Sequence, residues 1–227
     1  MNAAQLAADA KARVGKAGYW YGTYLPQVGT EVLLQAKAKQ YPTRYTPDYI
    51  LRSRKWLGMS VCDCAGLIKG LYWIADFGGK YQSATDLSAN GLLARCTVTG
   101  PISEIPETPG LLVWKEGHVG VYVGNGSVVE SRGVDYGVVM TALKDRGWSK
   151  WGKIGFITYE AAQDWRALYN ESQAMLTQAN EQIRLLNIQV ASLKQNLVDA
   201  AQTVADLEEE KAGVQGAIQE ILDYAEL

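Results

Sequence analysis

The sequence predicts an α+β head, with helices packed on an antiparallel sheet, followed by a long C-terminal coiled-coil helix. Three observations carry this. The apolar helical run CAGLIKGLYWIAD, residues 64–76, precedes a strand-rich stretch instead of alternating with strands. That order belongs to α+β domains and not to doubly wound parallel sheets. Asn125-Gly126 sits between two β-rich runs, a strong hairpin signal. From about Glu160, apolar residues recur at steps of three and four, the seam of a coiled coil.

Taken in order, residues 3–15 read as an amphipathic helix with Leu6, Ala10 and Val14 on one stripe, ended by Gly15 and Gly18. Residues 19–60 are irregular and rich in Tyr, Pro and Arg, with one short helix near 30–40. Residues 64–76 form a buried helix and 84–94 a second, shorter one. Residues 111–114 and 118–123 are strands, and YGVVMTALKD and KWGKIGFIT supply further strand-like runs. The stem has Leu176, Ile183, Val190, Leu197, Val204, Lys211 and Ile218 at a positions. Ala179, Leu186, Leu193, Ala200, Leu207, Val214 and Ile221 fall at d. This divides the chain into a head, 1–158, and a helical stem, 159–227.

Composition narrows the function classes. Three cysteines are too few for a disulfide framework. A structural zinc site would need Cys62, Cys64, Cys96 and His118 to converge without the usual CxxC spacing. Neither a metal nor another cofactor is expected. The start, MNAAQLAADAKARVG, has no apolar run of the secretory kind, and no stretch is long and apolar enough to span a membrane. The expectation is a protein made in a cytosol with its thiols reduced. Residues 160–227 carry 4 Lys/Arg against 12 Asp/Glu, a balance of −8, while 1–159 carry 18 against 12, a balance of +6. Charge alone would draw a basic head on an acidic stem to a polyanion such as nucleic acid or an anionic cell wall, although +6 is also an ordinary surface charge; the motif resemblance below selects between these, and with it no nucleic-acid partner is expected.

The chemistry centres on MSVCDCAGLIKG, residues 59–70. Cys64 begins a helix, where unpaired backbone N–H groups and the helix dipole favour thiolate and are expected to lower its pKa. Cys62 lies before the helix and gains less. His118, the only histidine, opens a strand between glycines and can serve as the base a cysteine nucleophile needs. Glu130, across the hairpin, can orient that base, provided both side chains leave one face of the sheet. A plain two-residue turn would set Val121 opposite Glu130 and point the carboxylate away. A three-residue loop, Gly124-Asn125-Gly126, with Gly126 left-handed, would pair Val123 with Ser127 and Gly120 with Glu130, diagonal to His118. A bulged or three-residue hairpin is therefore predicted, with the Glu130 carboxylate within hydrogen-bonding distance of one ring nitrogen of His118 and the other nitrogen facing Cys64.

Three motifs, in order, resemble those of the NlpC-type cell-wall cysteine peptidases. DCAGLIKGLYW resembles their D-C-S-G-L helix start, PGLLVW their P-G-D-L-V-F strand, and GHVGVYVGNGSVVES their histidine hairpin. YWYG, Tyr19 to Gly22, resembles their Y-x-x-G. The resemblance covers about residues 5–157 and implies a trimmed papain-like fold. It makes Cys64 the nucleophile, His118 the base and Glu130 the orienting group. It places Tyr19 and Asp63 in the pocket for the free amine of the stem peptide. Three features depart from the pattern. Ala65 replaces the usual Ser, Glu130 stands where His is more frequent, and about forty residues separate Tyr19 from Cys64.

The resemblance implies a peptidoglycan hydrolase cleaving a peptide bond of the stem peptide. Without a signal segment and with a coiled coil, it suits a phage or prophage lysin, released onto the wall or carried on the virion. Two alternatives stand beside it: an N-acetylmuramoyl-L-alanine amidase of papain-like type, and a non-catalytic coiled-coil assembly protein with an inactive head. The stem's β-branched a and leucine d residues predict a homo-oligomer, most simply a parallel dimer.

Overall fold

The structure is a computed structural model that describes residues 1–159 and 165–225. The chain divides into two compact units, 1–161 and 162–227. The composition change at Glu160 falls within 160–164, outside the described residues.

The first unit begins with helix α1, Ala3–Ala12, capped by the Asn2 carboxamide, and a two-residue strand β1, Ala17–Gly18. Helices α2, Glu31–Gln40, and α3, Pro47–Ser53, follow, each opened by a threonine whose hydroxyl accepts from a first-turn amide. The sequence predicts only the first of these. Thr46-Pro47 is a cap followed by an N1 proline, and that signal marks α3. Strand β2, Ser60–Val61, pairs parallel with β1 and leads directly into helix α4, Cys64–Phe77. Gly78, at φ +61°, ends α4 in the left-handed conformation a helix C-terminus favours. The helix predicted over 84–94 is instead a 3₁₀ turn, 83–85, and a short helix α5, Ala89–Ala94, because the Ser88 hydroxyl caps a new start.

Six strands form an antiparallel sheet: β3, Cys96–Pro101; β4, Leu112–Lys115; β5, His118–Gly124; β6, Ser127–Ser131; β7, Val138–Ala142; and β8, Lys150–Ile154. Their order is β3-β8-β4-β5-β6-β7. Strand β3 has no counterpart in the sequence reading. It is mostly exposed at the sheet edge, so the alternating burial that betrays an inner strand is weak there.

Side chains alternate across the sheet and build two cores. Val119, Val121, Val123 and Val129 meet Leu6, Ala7, Ala10, Leu67, Ile68 and Leu71 from α1 and α4. The opposite face collects Leu111, Val113, Tyr122, Val128 and Trp148. A third, smaller cluster of Trp20, Leu34, Tyr45 and Val61 stabilises the segment between Tyr19 and Cys64. Helix α4 sits close against that segment. Gly66 lacks a Cβ that would stand 2.0 Å from the Thr23 carbonyl oxygen, and Gly70 lacks one that would stand 2.6 Å from the Leu25 amide. The i, i+4 spacing puts both glycines on one helix face, where they admit backbone.

The β5–β6 hairpin corrects the predicted loop while keeping its consequence. The turn is the two-residue Asn125-Gly126, with φ of 52° and 65°, and Gly124 faces Ser127. The extra residue is Val123, bulged between the Tyr122–Val128 and Gly124–Ser127 pairs. Glu107 fixes the turn: its carboxylate accepts from the Asn125 amide at 2.6 Å and from the Tyr122 hydroxyl. The slip of one residue lies inside the strand instead of in the loop. Val121 faces Val129, so the register carries Gly120 opposite Glu130.

The second unit is one helix, α6, Trp165–Ala225, of 61 residues, roughly 90 Å long at 1.5 Å per residue. Considered by itself it presents an exposed apolar stripe through Leu176, Ile183, Leu186, Val190, Leu193, Leu197, Val204, Leu207, Val214, Ile218 and Ile221. No described helix is long and apolar enough to cross a membrane.

Candidate active site

Cys64 is the first residue of α4, and Asp63 is its cap. The Asp63 carboxylate takes the Gly66 amide at 2.6 Å with Oδ1 and the Gly22 amide at 2.9 Å with Oδ2. It therefore joins the helix start to the segment carrying Tyr19. The Asp63 amide in turn donates to the Thr23 carbonyl at 3.0 Å. Burial pushes the Asp63 carboxyl upward, against the Gly66 and Gly22 amides and the Lys69 charge, which favour its anion. The capping role is legible in the sequence as an Asp before an apolar helix.

Cys64 is 8% exposed. The Val119 amide, one residue beyond His118, and the Ala65 and Cys64 amides favour its thiolate. Burial and the charge of Asp63 outweigh them and raise its pKa to about 12. This corrects the expectation of a lowered value. The helix terminus acts as predicted, but desolvation in a closed site disfavours the anion more. Cys62 is fully buried in the first core, with burial raising its pKa, and its carbonyl accepts the Ser131 hydroxyl at 2.7 Å. Cys96 is half-buried and makes no disulfide.

His118 opens β5 on the face opposite the helices. Its Nε2 lies 2.6 Å from Oε2 of Glu130, and among the described residues Nδ1 meets no carboxylate. Its ring stacks on Trp148, with centroids 5.5 Å apart and planes 10° from parallel. Gly120 makes this possible, since a Cβ there would stand 2.6 Å from Val128 and 3.3 Å from the Trp148 ring. The turn before His118 is held by Asn90 of α5, whose Oδ1 accepts from the Gly117 amide at 3.1 Å and the Trp114 indole at 3.0 Å.

Glu130 is completely buried instead of solvated. Besides His118, it accepts from the Thr141 hydroxyl at 2.8 Å and from Arg146, through Nε at 2.6 Å and Nη2 at 3.1 Å. Burial disfavours its charge, but these hydrogen bonds prevail and hold its pKa at about 2. Sequence reasoning missed Arg146. It follows a 3₁₀ turn, and no local pattern announces a contact with a strand sixteen residues away.

A cavity of about 360 Å³ opens on Cys64 and is lined by Tyr19, Tyr21, Tyr41, Arg44 and Asp63, among others. Tyr19 is held neutral by burial and by the neighbouring Cys64 and Asp63 charges. Of the five sequence-predicted site residues, Tyr19, Asp63 and Cys64 line one cavity, and His118 and Glu130 are joined to each other. No group of three or more His, Cys, Asp or Glu side chains fit to hold a metal ion occurs among the described residues.

Helices on an antiparallel sheet, with a cysteine at a helix start and a carboxylate-bound histidine at a strand start, define the α+β class predicted from the sequence. Solved structures similar to the chain are NlpC/P60 domains. NlpC2 from Trichomonas vaginalis has 16% identity and a TM-score of 0.41, covering 67% of this chain and 46% of that one. The P60 domain of an M. avium subspecies paratuberculosis antigen has 18% identity and a TM-score of 0.40, covering 66% and 92%. The peptidoglycan hydrolase RipB from Mycobacterium tuberculosis has 20% identity and a TM-score of 0.32, covering 69% and 84%. The chain spans under half the length of the Trichomonas protein. No family model and no curated relative matches the sequence.

Proposed function

We propose that the chain is a peptidoglycan hydrolase whose head, 1–158, cleaves a peptide bond of the wall's stem peptide. The observation that carries this is the 2.6 Å contact between His118 Nε2 and a buried, anionic Glu130, at the strand whose next amide favours the Cys64 thiolate. Glu130 fixes the imidazole with Nε2 protonated, so Nδ1 is the basic nitrogen. It takes the Cys64 proton as Sγ attacks the carbonyl carbon. The S–C bond forms, and the tetrahedral intermediate collapses by breaking C–N. The imidazolium returns its proton to the departing amine, and water then hydrolyses the thioester. The raised thiol pKa makes Cys64 neutral at rest and dependent on His118 during attack. Asp63 and Tyr19 receive the substrate's free ammonium. A cation entering beside a carboxyl that burial has pushed upward favours its ionised form, so binding and charge reinforce each other.

The stem, 159–227, assembles copies of the chain through its apolar stripe. A phage or prophage lysin is the setting that best suits such a head on such a stem, acting on the wall after release or from the virion. Mass spectrometry of purified walls digested by the full chain tests the reading, with Cys64→Ala as control. New amino groups within the stem peptide are expected. New amino groups on its first alanine would make the enzyme an amidase instead, and unchanged walls would leave a non-catalytic head.

A further inference from the structure

The cavity on Cys64 has a wall that the three motifs do not supply. It comes from the segment between Tyr19 and Cys64, and its charged member is Arg44. The Arg44 amide donates to the Tyr41 carbonyl at 3.0 Å, just beyond α2, and its guanidinium lies over the Tyr21 ring at 5.1 Å. The Tyr21 and Tyr41 rings meet edge to face at 5.1 Å, and Tyr41 closes against Gly22. Arg44 is exposed to solvent, with its guanidinium against this aromatic wall where it lines the cavity.

The charges on the cavity are unequally satisfied. Lys69 is bound to Asp86 and the Leu87 carbonyl. Both oxygens of Asp63 accept backbone amides. Arg44, among the described residues, is paired with no carboxylate. A guanidinium stacked on a tyrosine keeps its hydrogen-bonding edge free, and that edge matches a carboxylate in bidentate geometry. Asp63 and Arg44 thus offer one anionic and one cationic anchor on a single cavity beside the nucleophile.

We propose that Arg44 binds a free carboxylate of the stem peptide, so that the enzyme selects peptides whose glutamyl α-carboxyl is unamidated. The proposal rests on the hydrolase reading and names the substrate class of that site. Two synthetic alanyl-γ-glutamyl-lysyl peptides, identical except for a free or amidated glutamyl α-carboxyl, test it. The wild-type full chain is expected to favour the acid in kcat/KM by about tenfold or more, the scale of one charge-assisted contact. Arg44→Ala should abolish the preference mainly by raising KM for the acid, and Arg44→Lys should restore part of it. Equal wild-type rates on the two peptides, or a preference that survives in Arg44→Ala, would overturn the assignment. Calorimetry with Cys64→Ala and the same peptides separates the two readings. If neither peptide is cleaved by wild type, the hydrolase reading falls, while tighter binding of the acid that needs Arg44 would still uphold the carboxylate site, and its absence would remove it.

Discussion

Glu130 shows how much one residue's surroundings decide. A carboxylate on an outer strand face is ordinarily solvated, yet here it is buried among His118, Thr141 and Arg146. Its carboxyl has an ordinary value of 4.5 and is held at about 2. Because the folded value is the lower one, its contribution is fully present above pH 4.5 and is lost as pH falls towards 2. By linkage it is worth on the order of 3 kcal/mol. Denaturant titrations from about pH 6 down to about pH 2 should show this loss in wild type and a flatter profile in Glu130→Gln. Equal slopes would mean that the carboxylate is not held as an anion. Arg146→Ala should leave the carboxylate buried with fewer donors. It should destabilise the head by about 3 kcal/mol, as expected when a buried pair loses one partner. At the proposed nucleophile, Cys64→Ala and His118→Ala should abolish wall lysis, read by turbidity, while Cys62→Ser retains most of it. A dead Cys62→Ser with a live Cys64→Ser would reverse the assignment. Alkylation of Cys64 by iodoacetamide should accelerate only well above the pH at which a free thiol ionises, because burial disfavours its anion.

The elements explain why these residues meet. The β5–β6 hairpin brings His118 and Glu130 to one face only because Val123 is bulged between the Tyr122 and Gly124 pairs. Deleting Val123 would restore plain alternation and turn Glu130 towards the helices, so the deletion variant is expected to lose activity and its low-pH stability slope together. Gly120 has a second task at this hairpin. Ala at that position would press on Val128 and on the Trp148 ring that stacks on His118. A loss of about 1–3 kcal/mol is expected from such overpacking, with a fall in kcat, measurable by thermal unfolding and peptide turnover. Gly66→Ala should be more severe, since its Cβ would stand 2.0 Å from the Thr23 carbonyl oxygen, whereas the tightest contact at Gly120 is a side chain. Helix α4 would then be forced from the segment that carries Tyr19.

At the scale of the molecule, the head and the stem are separate compact units with different expected behaviour. The stripe on α6 is expected to associate with a second copy, since β-branched residues at a and leucines at d favour two parallel strands. Lys211 at an a position weakens the seam locally. Sedimentation equilibrium at high micromolar concentration should give a dimer mass, and a monomer there would end the oligomer proposal. Removing residues 160–227 should leave cleavage of soluble stem peptides intact, with lysis of whole walls reduced if the stem concentrates heads on the polymer.

The sequence by itself determined the α+β head, the heptad pattern of the stem and the candidacy of Cys64, His118 and Glu130, because each rests on local pattern, whereas Tyr19 and Asp63 became candidates through the family resemblance. Helical and strand periods, the Asn-Gly turn and a Cys at a helix start are short-range signals. It also required a one-residue slip in the hairpin, since geometry allowed His118 and Glu130 to meet in no other way. Tertiary structure alone decided where the slip sits: the bulge is at Val123, and Glu107, reaching from outside the hairpin, holds the two-residue Asn125-Gly126 turn. It alone brought Arg146 to Glu130 and Arg44 to the cavity, contacts between segments far apart in the chain. It also reversed the expected ionisation of Cys64, because the helix terminus is a local property, whereas desolvation depends on everything folded around it.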